Sequence, residues 1–223
     1  MPPIRAFIFD LDGVVVDSNE MHVQSWQEVA RRHGFPCDDP DYIGKCGLRT
    51  LAVIQDLLRW PVSSAEAERI GWEKEELYRQ WIREGGIRPI RGVMEFLTAA
   101  YAAGIPCAIG SSAPRENVNV CVSALRLEQI FSVTVSGADV QRGKPAPDIF
   151  LKAAAGLNIP PEQCLVFEDA PAGVEAAHAA SMRVVALRTS HAAHELAAAD
   201  AVIADFTELP PPEELLLGAW FRR

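Results

Sequence analysis

The sequence predicts an α/β protein built on a doubly wound parallel sheet, with an all-helical unit inserted after the first strand. Short apolar runs alternate with helical stretches from about residue 88 onward. The strand segments are apolar throughout, which is typical of parallel strands covered by helices on both faces. Between residues 18 and 86 the pattern is helical instead. We therefore expect a core domain of residues 1–16 and 88–223 and a helical cap domain of residues 17–87.

The individual elements follow in a regular order. The first strand is predicted at residues 5–9, because this run is aromatic and β-branched and too short for a helix. In the inserted unit, helices are predicted at residues 19–33, 48–58 and 64–84. The predicted helices of the core are 93–103, 116–125, 147–156, 172–180 and a surface helix in the alanine-rich stretch 192–201. The other predicted strands are 105–110, 131–135, 164–167, 183–187 and 201–204.

Composition excludes several classes of function. The chain of 223 residues carries a net charge of −9, which argues against binding to nucleic acids or anionic membranes. No apolar run approaches the roughly 20 residues of a membrane span, and no signal-peptide pattern precedes the first strand. The five cysteines are scattered without a C-x-x-C pair, which fits free thiols in a reducing compartment. We expect a cytoplasmic monomer with no nucleic-acid or membrane partner.

Two aspartates follow the first predicted strand directly. Asp10 and Asp12 are two residues apart, and Gly13 comes next. Close acidic oxygens repel each other unless a cation neutralises them, and Mg²⁺ binds carboxylate and backbone carbonyl oxygens. An aspartate beside such a cation can also act as a nucleophile, as in aspartyl-phosphate enzymes. The alternative is an ordinary turn that ends the strand, since Asp and Gly favour turns.

Further polar groups follow the other predicted strands. Ser111 and Ser112 follow the second strand, and Glu168 and Asp169 follow the fourth. Lys144 lies at the start of the helix after the third strand. Taken alone, each has an ordinary interpretation: a loop serine, a helix N-cap with an acidic first turn, or a solvated surface lysine. Ligands of doubly wound sheets bind beyond the carboxyl ends of the strands, so we expect these residues to share one crevice with the two aspartates.

Four segments together resemble the motifs of the haloacid dehalogenase superfamily, in its phosphatase branch with a helical cap inserted after the first motif. They are FDLDGVVVD at 9–17, IGSS at 109–112, GKPAPD at 143–148 and VFEDAPAGVEAA at 166–177. The resemblance extends over essentially the whole chain, and the second aspartate of the first motif is typical of the phosphoryl-transferring members. It implies a Rossmann-like core, an all-helical cap and Mg²⁺ as the cofactor.

The resemblance also implies a role for each of these residues. Asp10 would be the nucleophile that becomes an aspartyl phosphate, and Asp12 would be the general acid and then the general base. Ser111 and Lys144 would hold the transferring phosphoryl group. The implied ligands of Mg²⁺ are Asp10, the backbone carbonyl of Asp12, Asp169 and, through water, Glu168.

The cap is similar to that of β-phosphoglucomutase and its phosphatase relatives. His22 follows the first motif, Arg49 ends a Gly-Leu-Arg loop, and Lys74 lies in the third predicted cap helix. With Ser112, these three side chains are expected to contact the substrate. The alternatives are a packing histidine and two solvated surface charges.

We therefore predict a Mg²⁺-dependent phosphatase that hydrolyses a small phosphorylated metabolite, such as a sugar phosphate. Residues 111–117 and the motif that begins at Glu168 are more similar to the phosphatases than to the mutase, which favours a hydrolase. One alternative is a β-phosphoglucomutase that interconverts β-glucose 1-phosphate and glucose 6-phosphate. Another is a catalytically inactive, ligand-binding protein, but loss of Asp10 or Lys144 would indicate it and both are present.

Overall fold

The sheet is parallel throughout and has six strands within the part of the chain that the structure describes. The structure is a computed structural model that describes residues 2–45, 48–217 and 220–222. The strands are β1 (Ala6–Phe9), β2 (Cys107–Gly110), β3 (Phe131–Val135), β4 (Cys164–Glu168), β5 (Arg183–Leu187) and β6 (Ala201–Ile203). Their order across the sheet is β3-β2-β1-β4-β5-β6, with every pair parallel. This order reverses at β1, so the neighbouring crevice at the carboxyl ends of the strands is the expected ligand site.

Helices cover both faces of this sheet. The α-helices of the described residues are α1 (Asn19–His33), α2 (Pro40–Lys45), α3 (Thr50–Ala52), α4 (Ser64–Gly85), α5 (Val93–Ala102), α6 (Arg115–Ala124), α7 (Asp148–Leu157), α8 (Pro171–Ala179) and α9 (Pro212–Leu216), of which α1 to α4 belong to the insertion and not to the layers on the sheet. Successive strand residues point to opposite faces, so β1 contributes to two apolar clusters. Phe7 and Phe9 belong to one cluster, and Ala6 and Ile8 belong to the other. The two-sided burial explains the continuous apolar strands and confirms the predicted fold class.

The inserted helices α1 to α4 have an apolar cluster of their own. Trp26 of α1 packs edge-on against Trp60, with the ring centroids 6.1 Å apart, and Ile70 of α4 is fully buried in the same cluster. At its other end α4 packs against α6, and its Tyr78 and Ile82 join the apolar cluster of the core. The helix α4 therefore belongs to both parts of the molecule. The division at residues 17 and 87 stays a prediction.

The inserted helices connect to the core through two short, adjacent segments. The N–H of Asp17 donates to the carbonyl of Arg88 at 2.8 Å, and the N–H of Ile90 donates to the carbonyl of Val15 at 3.1 Å. The Arg88 side chain also forms an ion pair with Asp17 at 3.3 Å. The outgoing and returning segments are therefore bonded to each other where they leave the sheet.

Three local predictions differ from the structure. The short helix α2 has no counterpart in the sequence interpretation, and the helix predicted over 48–58 is α3 followed by a π-helix at Val53–Leu58. The surface helix predicted over 192–201 is wrong, because residues 193–198 form turns. Leu196 is fully buried there, and the Asp200 carboxylate accepts the Val184 N–H at 2.8 Å, so packing against the sheet overrides alanine's helix propensity. No helix among the described residues could cross a membrane.

Candidate active site

A cavity of about 70 Å³ lies at the carboxyl ends of β1, β2 and β4, beneath α1 and α4. It is lined by nine of the ten side chains that the sequence singles out, namely Asp10, Asp12, His22, Lys74, Ser111, Ser112, Lys144, Glu168 and Asp169. The strand topology accounts for the core members of this set, because each lies at or just beyond the end of a parallel strand, except Lys144, which lies in the segment between β3 and α7. The cap members come from α1 and α4.

Lys144 joins two carboxylates at the centre of this cavity. Its ammonium group donates to Oδ1 of Asp10 at 2.5 Å and also to Oε1 of Glu168. All three side chains are almost completely buried. Burial raises the pKa of Asp10 to about 7, against the lowering effect of Lys144. Burial alone would lower the pKa of Lys144, but Asp10 and Glu168 raise it above its usual range.

Glu168 and Asp169 are held by the backbone and by a neighbouring hydroxyl. Oε2 of Glu168 accepts the N–H groups of Asp169 at 2.7 Å and Ala170 at 2.9 Å. The Ser190 hydroxyl donates to Oδ2 of Asp169. Burial, and then repulsion by Glu168 and Asp10, raise the pKa of Asp169 well above its usual range. One ammonium group therefore faces three buried carboxyl groups.

Asp12, the second aspartate after β1, is oriented by residues of the inserted unit. Oδ1 of Asp12 accepts hydrogen bonds from Ser18 at 2.6 Å and Tyr78 at 3.2 Å, and Nε2 of His22 lies 3.0 Å away. The His22 ring stacks on the Tyr78 ring, with the centroids 4.3 Å apart. Burial opposes ionisation of Asp12, but the nearby His22 and the hydrogen bonds lower its pKa to about 2. The orientation of Asp12 therefore depends on the cap.

A row of buried polar side chains continues from His22 into the core helix α6. Nζ of Lys74 lies 2.7 Å from Nδ1 of His22 and 3.2 Å from Oε1 of Glu75. Asn117 of α6 donates to Oε2 of Glu75 at 2.6 Å and accepts from Nη1 of Arg79 at 2.8 Å. We call these five residues the cap–core polar row. It joins the two parts of the molecule through direct hydrogen bonds.

The sequence interpretation missed Tyr78, Glu75 and Asn117. A signal existed for Tyr78, because it lies four residues after Lys74 and therefore on the same face of α4. Glu75 is the residue next to Lys74, so helical spacing gave no such signal for it. No local signal marked Asn117, because its partners lie on α4 about 40 positions earlier in the chain.

Arg49, a predicted substrate contact, and Ser111, predicted to hold the phosphoryl group, also have protein partners in the structure. The guanidinium of Arg49 donates to the carbonyls of Val140 at 2.9 Å and Gln141 at 3.3 Å, and Arg49 does not line the cavity. The Ser111 hydroxyl accepts the N–H of Ala113 at 3.1 Å, which orients it at the start of the segment before α6. Gly47 of the Arg49 loop and the nearby Cys46 lie outside the described residues.

Comparison with known proteins establishes the family. The family model described as haloacid dehalogenase-like hydrolase matches residues 7–187, which is most of the chain. The chain belongs to the haloacid dehalogenase-like hydrolases. This confirms the resemblance drawn from the four motifs, and it identifies the protein as an enzyme of the phosphoester-hydrolase type.

Individual relatives extend over nearly the full length of this haloacid dehalogenase-like hydrolase. Validoxylamine A 7′-phosphate phosphatase from Streptomyces hygroscopicus subsp. limoneus is 32% identical over 93% of this chain and 97% of its own. A phosphorylated carbohydrates phosphatase from Thermotoga maritima is 30% identical over 96% of this chain and 97% of its own. A crystal structure of β-phosphoglucomutase from Clostridium difficile superposes with a TM-score of 0.85 at 26% identity, covering 99% of this chain and all of the other.

The donor set of this haloacid dehalogenase-like hydrolase fits a hard divalent cation. Asp10, Glu168 and Asp169 bring three buried carboxyl groups against the single ammonium of Lys144, which leaves an excess of negative charge. Among the described residues, no group of three or more His, Cys, Asp or Glu side chains is arranged so that it could hold a metal ion by itself. Mg²⁺ does not need such a group, since it is usually held by one or two carboxylates and keeps several waters.

Proposed function

We propose that the protein is a Mg²⁺-dependent phosphatase that hydrolyses a small phosphorylated sugar or polyol through an aspartyl-phosphate intermediate. The observation that carries the proposal is the contact of the buried Lys144 with both Asp10 and Glu168 in the catalytic cavity. A lysine in this position neutralises the nucleophile and can also bind the incoming phosphoryl oxygens. The full-length relatives that are phosphatases support hydrolysis of phosphorylated carbohydrates.

The proposed reaction has two steps. A carboxylate oxygen of Asp10 attacks phosphorus, and the bond from phosphorus to the leaving oxygen breaks while Asp12, in its protonated form, gives that oxygen a proton. That form is the minority in the substrate-free site, where the pKa of Asp12 is about 2. Asp12 then takes a proton from a water molecule, which attacks the aspartyl phosphate, releases inorganic phosphate and restores Asp10. Ser18, His22 and Tyr78 all contact Oδ1 of Asp12, which leaves Oδ2 for proton transfer. Ser111 and Lys144 would hold the phosphoryl oxygens.

The metal would be held by Asp10, the main-chain carbonyl of Asp12 and Asp169, with Glu168 acting through water. When bound, it supplies charge that lowers the repulsion between an anionic carboxylate and an anionic phosphate ester. Burial, and after it repulsion by neighbouring carboxylates, raises the pKa values of Asp10 and Asp169, which supports this assignment because a bound cation would stabilise both carboxylates in their charged form.

The Asp10→Asn variant tests this proposal. An amide cannot form the acyl phosphate, so we expect phosphate release to fall by several orders of magnitude while the protein stays folded. Asp56→Asn, at an exposed position outside the cavity, is the matched control and should keep wild-type turnover. Mass spectrometry of acid-quenched wild-type enzyme should show a phosphorylated aspartate. Turnover of the Asp10→Asn protein near that of the control would refute the assignment.

A mutase is the second candidate, favoured by the high TM-score to β-phosphoglucomutase. A mutase must hold a second phosphate, and the cation expected to do so, Arg49, donates to two main-chain carbonyls instead. This engagement supports hydrolysis. The assay is incubation with β-glucose 1-phosphate and glucose 1,6-bisphosphate. Accumulation of glucose 6-phosphate with almost no free phosphate would favour the mutase, whereas stoichiometric phosphate release supports the hydrolase.

A further inference from the structure

Three consecutive residues shortly after β5 contact both acidic segments of the catalytic cavity. The Thr189 hydroxyl donates to the main-chain carbonyl of Gly13 at 2.5 Å, and Nδ1 of His191 lies 3.1 Å from the main-chain oxygen of Asp169. Between these two, the Ser190 hydroxyl donates to Oδ2 of Asp169. The segment is therefore bonded to the backbone that follows β1 and to the acidic residue that follows β4. The reaction proposed above uses none of its three side chains.

The Ser190 hydroxyl has a second partner, which belongs to the inserted unit. Nδ2 of Asn19, at the start of α1, donates to Oγ of Ser190 at 2.7 Å. A hydroxyl has one proton to donate and can accept through its lone pairs. Because Oγ of Ser190 accepts from Asn19, its own proton is left to point at the carboxylate of Asp169. The hydrogen bonds therefore run in one direction, from Asn19 through Ser190 to Asp169.

This row of hydrogen bonds ends on one of the carboxylates proposed to hold the metal. Asp169 is buried, and among the described residues Ser190 is the one side chain that donates a hydrogen bond to its carboxylate. A group that is hydrogen-bonded to a metal ligand fixes the orientation of that ligand, and its loss typically weakens metal binding roughly 10–100-fold. The position of Ser190 is therefore that of a residue that prepares Asp169 for a cation.

We propose that Ser190 is a positioning residue for the metal site, which orients Asp169 and is itself oriented by Asn19 of the inserted unit. The proposal rests on the proposed function, because the metal is that of the proposed phosphatase. Affinity for Mg²⁺ then depends in part on the helix α1, although none of the proposed metal ligands lies in that helix. The inserted unit in this way acts on both aspartates that flank the phosphoryl site, on Asp12 directly and on Asp169 through Ser190.

The test measures binding of Mg²⁺ alone to the substrate-free protein by isothermal titration calorimetry. Ser190→Ala removes the hydroxyl, and Asn19→Ala removes the amide that orients it. Both residues are half-buried, so we expect the variants to fold. The matched controls are Ser123→Ala and Asn119→Ala, at exposed positions of α6 that do not line the cavity. Phosphate release is then measured for the same proteins as a function of Mg²⁺ concentration.

We expect Ser190→Ala to raise the Kd for Mg²⁺ roughly 10–100-fold. Asn19→Ala should raise it about two- to tenfold, the effect of losing one neutral hydrogen bond. Added to Ser190→Ala, the Asn19→Ala change should alter Kd by less than about twofold, because its effect passes through Ser190. Activity lost at low Mg²⁺ should be recovered as Mg²⁺ is raised, which a general disturbance of the site would not allow.

The outcomes separate this inference from the proposed function. A Kd of Ser190→Ala within about twofold of the controls, or tighter binding, would overturn the positioning role while the phosphatase stands. Independent, additive losses in the double variant would overturn the part played by Asn19. If the wild-type protein binds no Mg²⁺, the positioning role and the proposed metal dependence both fail. The expected losses of Mg²⁺ affinity without phosphate release from any ester would support the positioning role and refute the phosphatase alone.

Discussion

The hydrogen bonds of Asn117 provide the sharpest test of how the inserted helices act on the catalytic carboxylate. Asn117→Ala removes the 2.6 Å bond to Glu75 and the 2.8 Å bond from Arg79. Hydrogen bonds to charged groups contribute about 1.5–3 kcal/mol each. Glu75 keeps Thr50 and Lys74, and Arg79 keeps its ion pair with Glu76, so the low end applies to both.

We expect the inserted helices to move between the arrangement described above, which we call closed, and an open one in which the cap–core polar row is broken. The combined loss is then roughly 2–4 kcal/mol in the closed arrangement. It corresponds to a factor of about 30 to 900 in the equilibrium between closed and open forms. If the closed form is strongly favoured in the wild type, the first part of this loss changes the closed population little, so the activity falls by less than the equilibrium constant does. We therefore expect kcat/KM to fall at least about tenfold. The free energy of unfolding should fall by less than the closing equilibrium, because opening lets water solvate Glu75 and Arg79.

The assay is phosphate release from a sugar phosphate and from methyl phosphate, whose small alkoxide leaving group also needs a proton, together with urea unfolding. The control is Asn119→Ala, the same substitution at an exposed position of the same helix. Because every substrate needs the cap-oriented Asp12, the two kcat/KM values should fall by similar factors. Activity within about twofold of the Asn119→Ala protein would refute the reasoning, and so would a loss confined to the sugar phosphate.

Three other predictions follow from the site. Gly13→Ala should abolish most activity, because the new Cβ would lie 1.9 Å from Oδ2 of Asp169. The control Gly34→Ala has a similar positive φ but no atom within 4 Å of its Cβ, so it should keep the activity. Equal kcat/KM values for the two variants would contradict this prediction. Excess EDTA should abolish phosphate release. Ca²⁺ should inhibit the enzyme, because Ca²⁺ takes more ligands than Mg²⁺ and at longer distances. Full activity in the presence of the chelator would show that the reaction needs no metal. Burial of Glu75 would raise its pKa, but Lys74 and His22 hold the pKa below its ordinary value of 4.5. The ionised Glu75 therefore stabilises the folded protein above pH 4.5, and this stabilisation is lost as the pH falls through the folded-state pKa. Urea unfolding between about pH 7 and pH 3 should therefore show a shallower decline for Glu75→Gln than for wild type, and parallel declines would disprove it.

Much of the fold could be predicted because its signals are local. Each long helix and each strand of the sheet lies within a few residues of its predicted position, since apolar periodicity and capping are properties of neighbouring residues. The failure at 192–201 has the opposite cause. Alanines favour a helix locally, but Leu196 and Asp200 bind that segment to the sheet.

Some residues of the candidate site could be predicted from local signals in the sequence, and others depend on tertiary packing. Asp10, Lys144 and Glu168 could be brought together from sequence, because strand topology alone places them at one edge. Asn117 and Arg49 could not, because their partners depend on how α4 and the Arg49 loop pack on the core. Burial, not residue type, distinguishes the lysine at the centre of the site from a surface lysine.

The two bonded segments at Asp17 and Arg88 have an evolutionary consequence. The whole helical insertion starts and ends at one place, where backbone atoms are 2.8 Å apart, so its length and sequence can change without altering the order of any strand. Lys144, Glu168 and Asp169 are encoded outside that stretch. On the proposed function, a lineage can therefore acquire a new substrate preference by editing one contiguous block of its gene, as long as Ser18, His22 and Tyr78, which orient Asp12, are kept.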